Sequence, residues 1–184
     1  MGDITELLHA ARPGDGKALD AVFDKVYSSL RAMAAQRLVW QPGENTLSAT
    51  ELVHEAYLKL TGASRLDLID RHHFHACAAR AMRQILVDRA RARGAAKRGS
   101  GMVACALDEV GEVVASEPEL LDIDAALDRL DAISPGLREL VEMRVFAGLT
   151  LAQLAETSGR SSRSISRDWQ RARALLLAQL DTQA

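Results

Sequence analysis

Apolar residues recur at intervals of three and four positions along most of this chain, and this spacing restricts its fold more than any other feature. It places apolar side chains on one face of an α-helix, whereas a half-buried β-strand would alternate apolar and polar residues. Almost no segment shows that alternation. The sequence therefore predicts an all-α protein. One long amphipathic helix is predicted within residues 17–40, where the members of the stripe are Leu19, Val22, Phe23, Val26, Leu30 and Met33.

The N-terminal half of the chain is predicted to form one small helical domain, residues 1–95. The third of its helices begins after Ser48, because Ser48 and Glu51 have the spacing of a capping box. The predicted helices cover residues 4–11, 17–40, 48–62 and 71–93.

Helical periodicity fades after this domain, where small and acidic residues prevail and glycines and a proline interrupt the chain. Residues 96–119 are therefore predicted to be a flexible acidic linker. A second small helical domain, residues 120–184, follows the linker. The predicted architecture is two small helical domains joined by this linker.

The second domain contains the pattern of a helix-turn-helix. A helix of residues 120–132 comes first, and Ser134 is the predicted N-cap of the next helix. Thr150 and Gln153 have the spacing of a capping box at the start of a short helix. Gly159 ends that helix, and Ser161 or Ser162 begins a longer one. A short helix, a glycine-containing turn and a longer helix are typical of this DNA-binding unit.

Composition excludes several classes of protein. The chain has 184 residues, of which 48% are hydrophobic, enough to form a core. No uncharged apolar stretch approaches the roughly 20 residues that span a bilayer, and the N-terminus lacks the order of a signal peptide. The two cysteines, Cys77 and Cys105, are too few for a disulfide framework. We therefore expect a cytoplasmic protein with reduced thiols and no membrane partner.

Charge is distributed in blocks of opposite sign that the net charge of −2 conceals. Residues 80–98 contain seven basic residues and one acidic residue, whereas residues 99–131 contain nine acidic residues and one basic residue. Residues 160–173 contain five arginines and one aspartate. Two cationic surfaces separated by an acidic connector indicate two contacts with a polyanion.

The last predicted helix carries Arg163, Arg167 and Arg171 at every fourth position, with Ser164 and Ser166 beside them. The N-terminal end of such a helix enters the major groove, where arginine reads guanine edges and serine reaches bases or phosphates. A solvated helix face is the alternative meaning of the stripe. We favour DNA binding because the stripe lies on the second helix of the motif. The basic block at residues 80–98 fits either phosphate attraction or a favourable helix C-terminus.

Metal binding and catalysis have little support. His72, His73, His75 and Cys77 are close in sequence, and His73 and Cys77 share a helix face at ligand spacing, but no second pair elsewhere in the chain is evident. A partly buried histidine and a core cysteine are the favoured interpretation. No nucleophile triad, phosphate-binding glycine loop or isolated carboxylate pair is present. We predict no catalytic residue, no metal and no cofactor.

Three segments resemble, in the same order, parts of the bacterial extracytoplasmic-function (ECF) sigma factors. Residues 76–93, ACAARAMRQILVDRARAR, resemble the promoter-melting segment, in which Asp88 matches the usual aspartate and Gln84 stands at the position of an asparagine. Residues 51–60, ELVHEAYLKL, resemble the helix that grips a coiled-coil of the largest polymerase subunit. Residues 137–180 resemble the C-terminal promoter-reading domain.

The resemblance implies a specificity subunit without an active site, whose partners are core RNA polymerase and promoter DNA. The implied polymerase-binding residues are Ala49, Thr50, Glu51, Leu52 and Glu55. The residues implied to lie near the minus-ten element are Arg80, Arg83, Gln84, Arg89 and Arg91. The residues implied to read the minus-thirty-five element are Arg163, Ser164, Ser166, Arg167 and Arg171.

The acidic docking cluster of the family is degenerate here. Where family members commonly carry Asp-Ala-Glu-Asp, this chain has Ser48-Ala49-Thr50-Glu51. A phosphate on Thr50 would restore negative charge at a helix N-terminus, where anions are favoured. We hypothesise that a serine/threonine kinase activates the protein through Thr50, in the manner of a similar branch of the family. In the alternative, Ser48 only caps the helix and Glu51 with Glu55 suffices for docking.

Two further interpretations of the sequence stay open. A helix-turn-helix regulator that binds DNA alone would be expected to dimerise on a two-fold operator, and would not need the N-terminal matches. The third possibility is an interaction module whose basic and acidic blocks neutralise each other in a closed form. In a sigma factor, the acidic linker could mask a cationic surface in the same way. No residue indicates an anti-sigma partner.

Overall fold

Seven helices and no strand make up the part of the chain that the structure, a computed structural model, describes: residue 6 and residues 16–37, 48–62, 69–94 and 117–181. The all-α prediction is confirmed. The helices are α1 (Gly16–Arg37), α2 (Ala49–Gly62), α3 (Arg71–Gly94), α4 (Glu117–Ile133), α5 (Pro135–Val145), α6 (Leu151–Ser158) and α7 (Ser162–Asp181).

The periodicity located these helices to within three residues at each end inside the described ranges. Apart from residue 6, the short helix predicted at residues 4–11 lies outside the described residues. Most of the predicted linker, residues 96–116, also lies outside them. The last three residues assigned to the linker, 117–119, belong to the first turn of α4.

Capping side chains fix two of the helix starts as predicted. At α2, the Ser48 N–H donates to Glu51 Oε2 at 2.7 Å and the Glu51 N–H donates to Ser48 Oγ at 3.1 Å. Thr150 and Gln153 form the same reciprocal pair at α6. Such caps satisfy N–H groups that have no partner within the helix. Ser134 occupies the N-cap position of α5, but its side chain makes no capping hydrogen bond.

The helices α1 and α2 pack together through aromatic rings. The rings of Phe23 and Tyr57 lie 4.4 Å apart between centroids. The Tyr57 hydroxyl donates a hydrogen bond to the Asp20 carboxylate, which, with burial, raises the pKa of Tyr57. The apolar face of α2 then packs against α3.

The central helix of the fold is α3, which packs against α2 on one side and against α4, α5 and α6 on the other. Its residues Phe74, Ala78, Met82 and Ile85 form a buried apolar stripe. Further residues outside that stripe are also buried, namely Ala76, Ala79, Val87 and Ala90. The helix is therefore covered over much more of its circumference than one amphipathic stripe requires.

The helices α4 to α7 share one apolar core. Its largest fully buried side chains include Leu127, Leu130, Leu154, Ile165 and Leu176. Burial of leucine or isoleucine side chains contributes roughly 1.5–3 kcal/mol each, so these contacts hold the four helices together. No helix in the described ranges is both long and apolar enough to cross a membrane.

The buried imidazole of His75 in α3 gives stability a predicted pH dependence. His75 is 3% exposed, and burial, aided by the charges of Arg71 and His72, lowers its pKa from 6.5 to about 4. The unfolded chain therefore takes up a proton at His75 at higher pH than the folded chain, and stability falls as the pH drops through this window. We expect the free energy of unfolding to decrease by about 2 kcal/mol between about pH 7 and about pH 5.

Urea titrations at both pH values measure this dependence. His75→Leu should remove most of it, whereas His54→Leu on the exposed side of α2 serves as the matched control and should keep the wild-type slope. A His75→Leu chain with an undiminished pH slope would contradict the assignment.

Candidate nucleic-acid interface

A tight turn at Gly159 sets the direction of α7 relative to α6. Gly159 has φ +64°, a left-handed conformation that glycine adopts without steric cost. Its N–H donates to the last carbonyl groups of α6, and Ser161 Oγ accepts the N–H of Ser164 at 3.2 Å, which caps α7. The resulting arrangement of a short helix, a turn and a long helix is consistent with the predicted helix-turn-helix.

The two faces of α7 differ sharply. Ile165, Trp169 and Ala172 are buried, and the guanidinium of Arg144 lies 5.9 Å from the Trp169 ring centroid. Arg144 Nη1 also donates to the carbonyl oxygen of Leu149 at 2.9 Å, which ties α5 to the segment before α6. These contacts fix the rotation of α7 about its own axis.

The opposite face of α7 presents Arg163, Arg167 and Arg171 to solvent. None of the three has an ion-pair partner among the described residues. Arg160 instead pairs with Asp168 and donates to Ser164 Oγ at 2.8 Å. The one acid of this block is thus engaged by Arg160, and the three predicted DNA-reading arginines form a continuous cationic row. Ser164 and Ser166 are half-buried beside that row.

The predicted DNA-binding residues of α3 differ from those of α7. The four arginines among them are paired with carboxylates, and Gln84 is exposed. Three of the four pair with residues of α4 or α5, and one pairs with α2. The pairs are Arg80 with Glu142, Arg83 with Asp124 and Glu142, Arg91 with Asp124, and Arg89 with Glu55.

Arg83 is at the centre of this cluster and is only 6% exposed. Its Nε lies 3.0 Å from Glu142 Oε1, and Glu142 is 1% exposed. Glu142 Oε1 also accepts from Arg138 Nε at 3.0 Å, and Arg138 Nη1 lies 2.8 Å from Asp131 Oδ2. Burial would lower the pKa of Arg138, but its bonds and attraction to these carboxylates outweigh that effect and raise the pKa. A buried carboxylate of this kind needs such cations as neighbours.

The N-terminal end of α2 holds the predicted docking residues. Thr50 and Glu51 are exposed, Ala49 is half-buried, and Leu52 is fully buried in the core. The backbone and hydroxyl hydrogen bonds of Ser48 lower the pKa of Glu51, which keeps it anionic. Thr50 Oγ1 accepts a hydrogen bond from Arg31 Nε at 3.2 Å. Glu55 is half-buried and is paired with Arg89.

The histidine-rich start of α3 makes protein contacts. His72 Nε2 lies 3.1 Å from Glu139 Oε1, and His73 Nδ1 lies 3.3 Å from the N–H of Ile69. Burial raises the pKa of the Cys77 thiol. Within the described ranges, no group of three or more histidine, cysteine or acidic side chains is arranged to hold a metal ion.

Three residues of these sites were not identified from the sequence. Arg31 lies 19 positions before Thr50, so local spacing cannot connect them. Asp124 was counted only as part of the acidic block. Glu142 had a usable signal, because it interrupts the apolar run Leu140, Val141, Met143, and an acid on a buried face requires a partner.

Comparison with known families places this geometry in context. The family described as ECF sigma factor matches residues 1–182. The chain belongs to the ECF sigma factor family. No curated protein and no solved structure matches it.

Membership gives this sigma factor its general role. It is a sigma factor for transcription initiation, and ECF sigma factors bind core RNA polymerase and promoter DNA. The family is not a class of enzymes. The assignment of individual residues to polymerase or to DNA stays a prediction.

The exposed row on α7 gives a direct test of one such assignment. We predict that Arg167→Ala weakens binding of duplex DNA by about tenfold, because a lost arginine contact with a base costs on the order of 1–3 kcal/mol. Fluorescence anisotropy at fixed salt measures the affinity. Lys25→Ala on the exposed side of α1 removes the same charge and should change the affinity by less than about twofold. Equal losses in the two variants would contradict a specific role for α7.

Proposed function

We propose that this sigma factor contacts polymerase and the two promoter elements with separate helices. Residues 1–95 dock on the coiled-coil of the largest polymerase subunit and open the minus-ten element, and residues 120–184 read the minus-thirty-five element. Residues 96–119 connect the two parts. The observation that carries this proposal is the family match over residues 1–182. The cationic row on α7 supports it.

The N-terminal end of α2 is the proposed docking surface. Its exposed Thr50 and anionic Glu51 suit a contact with basic residues of the polymerase. Leu52 supports this surface indirectly, because its side chain packs in the core and holds α2 in position. Glu55 joins this surface when it exchanges Arg89 for a polymerase residue.

Promoter DNA is assigned to two basic surfaces. Arg163, Arg167 and Arg171 of α7 read the minus-thirty-five element, with Ser164 and Ser166 reaching phosphates or bases. The second surface, on α3, takes the opened minus-ten element. Its residues are Arg80, Arg83, Gln84, Arg89 and Arg91.

Run-off transcription with purified bacterial core polymerase on fragments of the source genome tests the function as a whole. Specific transcripts that appear only when this protein is added would support the sigma assignment. A chain that neither binds core polymerase nor starts specific transcripts would contradict it. A dimer that binds DNA alone would then favour the free-standing regulator. The cytoplasmic location expected from the sequence stays a prediction.

We further propose that phosphorylation of Thr50 by a serine/threonine kinase strengthens docking. Ser48 is occupied in capping α2, whereas Thr50 is exposed and carries its hydroxyl within 3.2 Å of the Arg31 guanidinium. A phosphate on Thr50 would meet that guanidinium and the positive end of the helix. The added charge would replace the carboxylates that the docking cluster lacks.

Substitutions at Thr50 and Arg31 test this proposal. Thr50→Asp should bind core polymerase more tightly than Thr50→Ala by about fivefold, the effect of roughly 1 kcal/mol. Arg31→Ala in the Thr50→Asp chain serves as the control and should keep the gain, because it removes a cation that competes with the basic polymerase residues for the added charge. Surface-immobilised core polymerase gives these affinities. If Thr50→Ala transcribes as well as wild type in cells under inducing conditions, Thr50 is not the switch.

A further inference from the structure

Carboxylates from α4 and α5 hold three arginines of the basic surface of α3. Arg83 pairs with Asp124, and Arg91 Nη2 lies 2.9 Å from Asp124 Oδ2. Glu142 lies 3.0 Å from Arg83 Nε and 3.8 Å from Arg80 Nε. A phosphate group of DNA would bind the same guanidinium edges, since carboxylate and phosphate oxygens fit arginine in the same way.

The burial of these groups makes the two partners mutually exclusive. Arg83, Asp124 and Glu142 are at most 7% exposed. A polyanion as large as DNA cannot reach Arg83 while α4 and α5 cover it. Release of Arg83 therefore requires movement of these helices away from α3.

We propose that the C-terminal helices α4 to α6 close over α3 and use Asp124 and Glu142 in place of DNA phosphates. In the free chain, these helices therefore cover the basic surface of α3 that is assigned to the minus-ten element. This inference rests on the proposed assignment of α3 to promoter DNA. In this inference the acidic residues that cover the basic surface, Asp124 and Glu142, belong to folded helices, whereas the sequence analysis suggested that the linker supplies them.

A second group of contacts at the other end of α3 belongs to the same closure. Arg71 Nη1 lies 3.2 Å from Glu156 Oε1 on α6, and His72 Nε2 lies 3.1 Å from Glu139 Oε1 on α5. Polar pairs therefore join α3 to the C-terminal helices at both ends. Such pairs weaken with salt where they are exposed, and water can replace them when the surfaces separate.

Two buried polar atoms in the closed arrangement lack hydrogen bonds, and this favours opening. Within the described ranges, the buried atoms Arg83 Nε and Glu142 Oε2 have ion-pair neighbours but no hydrogen bond of good geometry. Buried polar atoms without a hydrogen bond are destabilising. The cluster is thus less stable than a fully bonded one and can be displaced by a better partner.

Asp124 is the best position for a test, because its described bonds go to Arg83 and Arg91 of α3. Glu142 also supports Arg138 within the C-terminal helices, so its loss would affect their stability. The variant is Asp124→Asn in the full chain. Asp122→Asn is the matched control, since Asp122 is exposed on the same helix and the change in charge is identical.

Two measurements on the free chain report closure. Small-angle scattering should give wild type a radius of gyration near the roughly 16 Å of a compact chain of this length, and Asp124→Asn a larger radius at the same salt. Fluorescence anisotropy with a labelled single-stranded oligonucleotide should show tighter binding by Asp124→Asn, by about fivefold to tenfold. Asp122→Asn should match wild type in radius and stay within about twofold in affinity.

A second variant covers the case in which Asp124→Asn fails to fold. Glu156→Arg places a cation opposite Arg71 at an exposed site, and its larger radius would support closure independently. Wild-type values of radius and affinity in Asp124→Asn, or equal gains in Asp122→Asn, would overturn the proposal.

Binding of core polymerase by the same preparations separates the closure proposal from the sigma assignment. Failure of every variant to bind it would reject the sigma assignment without bearing on the closure that scattering measures.

Discussion

The burial of α3 on two sides is the constraint on which the rest of the structure depends. Its alanines at positions 76, 79 and 90 bring the backbones of neighbouring helices close, and Phe74 and Met82 fill the space between them. A helix enclosed in this way leaves few positions for charge. The arginines that it nevertheless carries must find anionic partners at the boundary, and α4 and α5 supply them.

Local chemistry made much of the fold predictable. Capping boxes at Ser48 and Thr150 and the glycine at position 159 are signals read within a few residues, and the structure contains each of them. The row of arginines on α7 was predictable for the same reason, because helical spacing alone places Arg163, Arg167 and Arg171 on one face. Periodicity also located the helices, since a single buried face repeats every three to four residues.

Contacts between distant segments could not be predicted in that way. Spacing gives the position of Arg83 on its helix, but its environment depends on Asp124 and Glu142, which are 41 and 59 positions later. Alanines add to the difficulty because a buried alanine and an exposed one look alike in a sequence. The charge blocks were read correctly as opposite in sign. Which members of the acidic block would face the basic one depended on packing that a one-dimensional pattern does not contain.

The coupling between Arg83 and Glu142 also limits how this chain can change over evolution. Each residue is nearly inaccessible to water and each carries a charge that helps to compensate the other. Loss of the arginine alone leaves a buried carboxylate with one close cation fewer, and loss of the glutamate alone leaves a buried guanidinium with Asp124 as its remaining buried anion. Descendants of this sequence should therefore replace the two positions together, by a pair of apolar residues or by another ion pair, and single replacements should be purged.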